Sequence, residues 1–309
     1  MCRRQKRARR APVAPPWYVQ TVSEAAAEPE EPGEESPPPK PEVGWGEAVR
    51  TVAKSAADPA VNGVAELGIL AHLIYSTVRW GLRPPYRFRL LVEQLEFIGV
   101  QSIFIVGLTG TFVGAVFGLQ LVDGFRQFGA ENQAGAVVGI ALVRELAPVF
   151  SALMITSRAG SAMATEIASM RVTNQIDALT TMSVNPIQYL IVPRVLAGLI
   201  AAPMMALLFF LVGLFGAYTV GVFLMGIDGG IFIERVKWFV DVGDVEQGLV
   251  KAAVFGTALT LIACRHGFYA EGGAAGVGRA TNRAVVQAAV AILVLDYIVT
   301  GIILGQGLA

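Results

Sequence analysis

From Phe97 to Val122 the chain carries no charged residue. About 20 apolar residues in an α-helix cross the hydrocarbon core of a bilayer, and such a stretch has few alternatives in a soluble fold. Four more stretches follow. One runs over 133–157 and is interrupted by Arg144 and Glu145. The next lies between Arg194 and Asp228, longer than one bilayer requires, which predicts tilt or protrusion. A fourth covers 247–264 and carries Lys251, and a fifth covers 284–306 and carries Asp296. Charged residues are 16% of the chain against 54% apolar, whereas a soluble domain carries about 25% charged residues. The expected fold class is an all-α integral membrane protein: an N-terminal interfacial helix followed by five transmembrane helices.

Three regions divide the sequence. Residues 1–44 hold a basic run (Arg3, Arg4, Lys6, Arg7, Arg9, Arg10) and then Pro/Glu-rich sequence. No apolar core of a signal peptide follows the basic run. That composition buries too little apolar surface to offset ordering entropy, so a disordered cytoplasmic tail is expected. Residues 45–97 read as amphipathic interfacial helices. Val64, Leu67, Leu70, Ile74 and Val78 recur at steps of three and four, and Arg79, Arg83, Arg87 and Arg89 follow among Trp80, Tyr86 and Phe88. Pro84-Pro85 ends the first helix, and a second begins near Tyr86. Residues 98–309 form the five-helix domain.

Charge between the spans sets an expected orientation. The 158–194 and 265–283 connections carry excess Arg, while 228–246 is acidic. Lys/Arg excess marks the cytoplasmic side. The N-terminus and the two basic connections are therefore expected in the cytoplasm, and the 124–132 and 228–246 connections and the C-terminus outside.

Charge inside a bilayer costs at least about 2.5–3.5 kcal/mol per residue, so Arg144, Glu145, Lys251 and Asp296 should face protein or a wet cavity. Arg144 and Glu145 are adjacent, hence about 100° apart on a helix, and are expected to face different surroundings. They either line a functional cavity or make structural ion pairs. Lys251 lies near a span end, where it can snorkel. Asp296 reads as structural.

Gly107, Gly110, Gly114 and Gly118 lie in the first span, the last three at steps of four. Such spacing permits close helix approach, in a dimer face or in internal packing. The polar stretch Arg158–Leu179 places Ile167, Met170, Asn174 and Ala178 on one helical face. It reads either as a short amphipathic helix lying across the cytoplasmic side, suited to docking another protein, or as a surface loop resting on headgroups.

Several functions are left without a motif. No G-x-x-x-x-G-K-[ST] loop is present, so nucleotide binding of the P-loop kind is not expected in this chain. There is no nucleophile elbow and no H-E-x-x-H. The two cysteines, Cys2 and Cys264, suggest neither a disulfide framework nor a zinc site. The expectation is no catalytic residue, no metal and no nucleic-acid partner. From composition and spacing alone the chain reads as a polytopic membrane protein and transporter, with an ion-coupled secondary transporter or a non-transporting scaffold as alternatives.

Several long motifs in order narrow this. They are Gln94 through Ser102, the Gly-rich span ending at Gln120, Arg144-Glu145-Leu146-Ala147-Pro148, the Arg158–Leu179 stretch, Asn185-Pro186, Gly276 to Thr281, and Leu295-Asp296-Tyr297. Together, over roughly 86–308, the chain resembles the MlaE/YrbE permeases, membrane subunits of ABC transporters associated with MCE proteins; the Pro/Glu-rich tail departs from that pattern. The resemblance implies a homodimer driven by two copies of a cytoplasmic ABC ATPase, with ATP and Mg bound on that partner and no cofactor in this chain. It implies an MCE-domain protein on the outer side and, often, a STAS-domain protein on the ATPase. It implies a phospholipid cargo in a cavity between subunits, with Arg144, Glu145 and Lys251 near it. The ATPase would dock on the connection holding Glu166, Met170, Arg171, Asn174 and Asp177. The implied location is a bacterial inner membrane.

Overall fold

The computed structural model describes residues 68–84 and 87–307. The expected tail, residues Val64 and Leu67 of the interfacial stripe, and Tyr86 lie outside the described residues. Helix α1 spans 68–81. Five helices are long and apolar enough to cross a membrane: α2 (Phe88–Arg126), α3 (Glu131–Val172), α5 (Ile187–Leu224), α7 (Val242–Phe268) and α8, whose spanning part is Gly273–Ile303. Two short helices intervene, α4 (Gln175–Thr181) and α6 (Gly229–Phe239). Because the spans alternate in direction, 173–186 and 269–272 lie at one end of the bundle and 127–130 and 225–241 at the other.

Helix α5 is the centre, packing against both α2 and α7. In lipid there is no hydrophobic drive between helices, so close backbone fit supplies the contact. Gly114 meets Gly213 so closely that a Cβ on Gly114 would lie 1.9 Å from the Gly213 carbonyl oxygen. Gly110 and Gly118 flank this crossing against Val212, Phe209 and Ala217. The small-residue stripe of α2 is therefore internal packing and not a dimer face. Gly107 does not belong to it, since nothing lies within 4 Å of a Cβ built there. It falls three residues before Gly110 and so off the line of the other three. A second close crossing joins α5 to α7, where a Cβ on Gly256 would lie 2.4 Å from the Gly198 carbonyl oxygen.

The 158–179 region differs from both readings of the sequence. Residues 158–172 are the direct continuation of α3, which packs there between α7 and α8. Met163, Ala164, Ile167 and Ala168 are buried, and Thr165 Oγ1 lies 2.7 Å from Thr281 Oγ1 on α8. Only the tip from Thr173 onward turns out, through Asn174 at φ +58°, into α4. Polar residues mask the span because Thr165, Glu166 and Ser169 fall on the outward side of this extension, while its buried side stays apolar.

Interfacial helix α1 also turns a different face inward. Leu73, Ser76 and Thr77 are buried, while Ile74 and Val78 are exposed. Leu73 joins a cluster with Ile167, Ile176, Leu190, Ile191 and Cys264, which binds α1 to α3, α4, α5 and α7. Its outward apolar face suits lipid, while its inward face sets Leu73 beside Ser76 and Thr77.

The first span is interrupted at Val100–Ser102 by a tighter 3-10 turn after Gly99. Arg158 fills this break: its Nη1 donates to the Phe97 carbonyl at 2.8 Å and to Ser102 Oγ at 3.2 Å. The acidic 228–246 connection, expected only as a connection, contains α6, whose N-terminus is capped by Asp228 accepting from the Ile231 amide at 3.0 Å. Phe232 and Val236 of α6 bury against α3.

Gly114→Val should destabilise the fold by about 2–3 kcal/mol, because no rotamer escapes the Gly213 backbone, whereas Gly107→Ala should have little effect. Thermal unfolding of both variants in detergent checks this.

Candidate functional site

The sequence Arg144-Glu145-Leu146-Ala147-Pro148 builds the site. Pro148 has no amide hydrogen, so it cannot donate to the Arg144 carbonyl four residues back. At this point α3 widens into a π-helical segment, Leu142–Leu146, a geometry frequent at functional sites. The Lys251 Nζ, arriving from α7, donates to the Arg144 carbonyl at 3.1 Å. The same ammonium donates to Glu145 Oε2 at 2.6 Å and stands 3.3 Å from Asp296 Oδ1 of α8. That last contact is an ion pair without hydrogen-bond geometry. Lys251 is 2% exposed; it turns inward and does not snorkel. One buried ammonium thus ties three helices together.

Arg144 pairs with Asp244, also on α7: its Nε donates to Asp244 Oδ1 at 2.8 Å. Asp244 Oδ2 in turn accepts from the Asp241 amide at 3.0 Å, within a capping box at the start of α7. Arg144 and Glu145 were expected to face different surroundings, yet both reach α7. Asp244 and Lys251 are two turns apart on one face of that helix, and the two long side chains of α3 diverge along it. The widened segment places both at the same groove. Asp244 was not singled out from the sequence; its position seven residues before Lys251 was the available signal.

The pairing leaves one face open. The Arg144 and Glu145 side chains are 39% and 44% exposed, although they stand midway along the apolar stretch 133–157. In lipid such exposure has to be met by protein or water. A tight apolar crevice beside them is bounded by Val143, Ala147, Phe210 and Gly248.

The expected docking residues separate into two groups. Glu166 Oε2 accepts from Arg194 Nη2 at 2.8 Å, and Arg194, which is buried, also donates to the Leu190 carbonyl at 2.8 Å. Glu166 therefore holds α3 to α5, a role hidden in the sequence because Arg194 reads there as a flanking charge. Met170 is half-buried against the cluster around Leu73. Asn174 and Asp177 are exposed at the tip, where Asp177 Oδ1 accepts from Arg171 Nη1 at 2.7 Å. Met182 stands beside them, 65% exposed.

The sequence pattern of the family described as Permease MlaE matches residues 91–302. The chain belongs to the MlaE permease family. It is 40% identical over 249 residues to a probable ABC transporter permease protein of Rickettsia felis, covering 81% of this chain and 96% of that protein. It is 40% identical over 224 residues to the intermembrane phospholipid transport system permease protein MlaE of Haemophilus influenzae, covering 71% and 85%. A probable ABC transporter permease protein of Synechocystis matches at 40% over 206 residues, covering 67% and 78%. Within this MlaE-type permease the match takes in the charged network and the α3 extension, and ends before the last residues of α8.

Lys251→Ala should destabilise the fold by about 3 kcal/mol, the low end of the range for stripping one partner from a buried pair, because Glu145 can relax toward water. Combining it with Glu145→Gln and Asp296→Asn should restore much of the loss. Unfolding midpoints of the single and triple variants check this.

Proposed function

We propose that this chain is the permease subunit of an ATP-driven phospholipid transporter and works as a pair of identical subunits in a bacterial inner membrane. The observation that carries this reading is the half-exposed Arg144 and Glu145 within the apolar stretch of a membrane helix, held in place by buried Lys251 and Asp244. A second copy facing this surface closes a cavity with apolar walls for acyl chains and a few fixed charges for a headgroup. The name of the Haemophilus relative, a phospholipid transport permease, supports the choice of cargo.

The subunit itself does no covalent chemistry. A separate cytoplasmic ATPase, holding ATP and Mg, docks at the tip formed by Arg171, Asn174, Asp177 and Met182. The basic connections orient that end to the cytoplasm. The C-terminus and α6 then lie outside, where an MCE-domain protein receives or delivers lipid; a STAS-domain protein joins the ATPase. Transport requires that the two conformations of the pair bind lipid differently. Helix α3 carries the charged network, and its far end leads through Asn174 into the docking tip, so movement at the tip reaches the cavity.

Glu145→Ala should lower ATP-dependent lipid transfer between vesicles by roughly tenfold, the equivalent of one charge contact. Folded yield should hold, because Lys251 keeps Asp296. Equal loss of transfer and yield would reduce Glu145 to a structural ion pair.

Asp177→Lys with Met182→Asp should abolish co-purification of the ATPase without loss of folded protein, since both side chains are exposed. Unchanged co-purification would remove the docking assignment. Glu166 is unsuited to this test because its substitution strands Arg194.

A further inference from the structure

A groove far along the sequence from the charged network lies between α1, the start of α2 and the start of α5. Arg83, Arg87 and Gln188 form its polar rim, and Leu91, Val192 and Leu196 its apolar wall. Each guanidinium is held over an aromatic ring: Arg83 over Trp80 at 5.5 Å and Arg87 over Tyr189 at 4.7 Å. A ring face at this distance attracts the guanidinium and leaves its N–H groups free to donate. The Gln188 amide nitrogen donates to the Arg83 carbonyl at 2.9 Å, joining α5 to the end of α1. Among the described residues neither Arg83 nor Arg87 has a carboxylate within 4.0 Å, and no acidic side chain lines the groove. Other arginines are paired: Arg89 with Glu93, Arg171 with Asp177 and Arg194 with Glu166.

We propose that this groove is a binding site for one anionic phospholipid, distinct from the transported cargo. Two oriented guanidiniums with no competing acid select a phosphate with net negative charge. A zwitterionic headgroup would bring an ammonium for which the rim offers no carboxylate. The groove, open on one side, holds about 70 Å³, room for several waters and so for a phosphate group, but not for a whole lipid. The acyl chains run outside it, along Leu196, Leu199 and Ile200, an exposed apolar strip of α5 that begins at the groove. Basic pockets between membrane helices at the level of Arg and aromatic residues bind acidic headgroups in this way. The site depends on neither the transport reading nor the second copy. Its occupant braces α1, which is anchored through Leu73 to the same cluster as Ile176 of the docking helix α4.

The test is lipid retention by the full-length chain. The protein is purified in mild detergent, stripped of lipid, titrated with phosphatidylglycerol and read by native mass spectrometry. The expected result is one tightly held phosphatidylglycerol per chain, bound about 30-fold more weakly by the Arg83→Gln/Arg87→Gln variant, as two charges at a membrane surface require. Leu196→Trp, which blocks the acyl track and leaves the charges, should also weaken it. Phosphatidylcholine with the same chains should bind as weakly to the wild type as phosphatidylglycerol does to the double variant. Equal retention of both lipids, or no change in either variant, would overturn the proposal. Displacement by millimolar inorganic phosphate would show a free-anion site and overturn the lipid assignment. Binding that appears only after removal of residues 1–44 would place the Glu-rich tail on the guanidiniums, with the same consequence.

Discussion

Apolar side chains gain nothing by leaving lipid for one another, so the helices of this bundle have to be held by close backbone fit and by polar contacts that lipid cannot offer. Helix α5 meets the first requirement on two sides, through Gly114 with Gly213 toward α2 and through Gly198 with Gly256 toward α7. With those crossings fixed, the remaining helices arrange around a rigid centre. The polar contacts lie where the fit is interrupted. Arg158 fills the tightened turn of α2, Arg194 joins α3 to α5, and Lys251 fills the widened turn of α3.

The Lys251 contacts show why a transporter can carry charge in its membrane helices without losing its fold. Pro148 takes away a backbone donor, and a buried ammonium replaces it while also meeting two carboxylates. Removing the lysine alone strands acids; changing all three side chains does not. The open face of Arg144 and Glu145 is then the surplus of this arrangement, polar surface that the single chain does not cover.

Much of the fold was legible in the sequence, because uncharged runs of bilayer length have few alternatives. The five spans and the break before Phe88 follow from local pattern, and the small-residue stripe showed a close helix approach without naming its partner. What failed to show was governed by neighbours. The 158–172 segment looked too polar to continue a span, yet its Thr165 and Glu166 have partners in Thr281 and Arg194. Gly107 looked like its neighbours and has nothing to pack on. The apolar stripe of α1 was read for one partner, whereas the helix has two. At the site, Arg144, Glu145, Lys251 and Asp296 stood out by their cost in lipid, but Asp244 did not, because at a span end an acid needs no explanation.

Helix α3 runs unbroken for 42 residues, about 63 Å at 1.5 Å per residue. Arg144 and Glu145 stand near one third of its length, and its far end leads into the turn beyond Val172. A rotation of about 5° about its middle displaces a point 25 Å away by about 2 Å, several times the roughly 0.5 Å range over which a hydrogen bond holds. The two π-helical segments, Leu142–Leu146 and Thr156–Gly160, are the places where such a rod can yield in twist without breaking, so torque as well as tilt can travel its length.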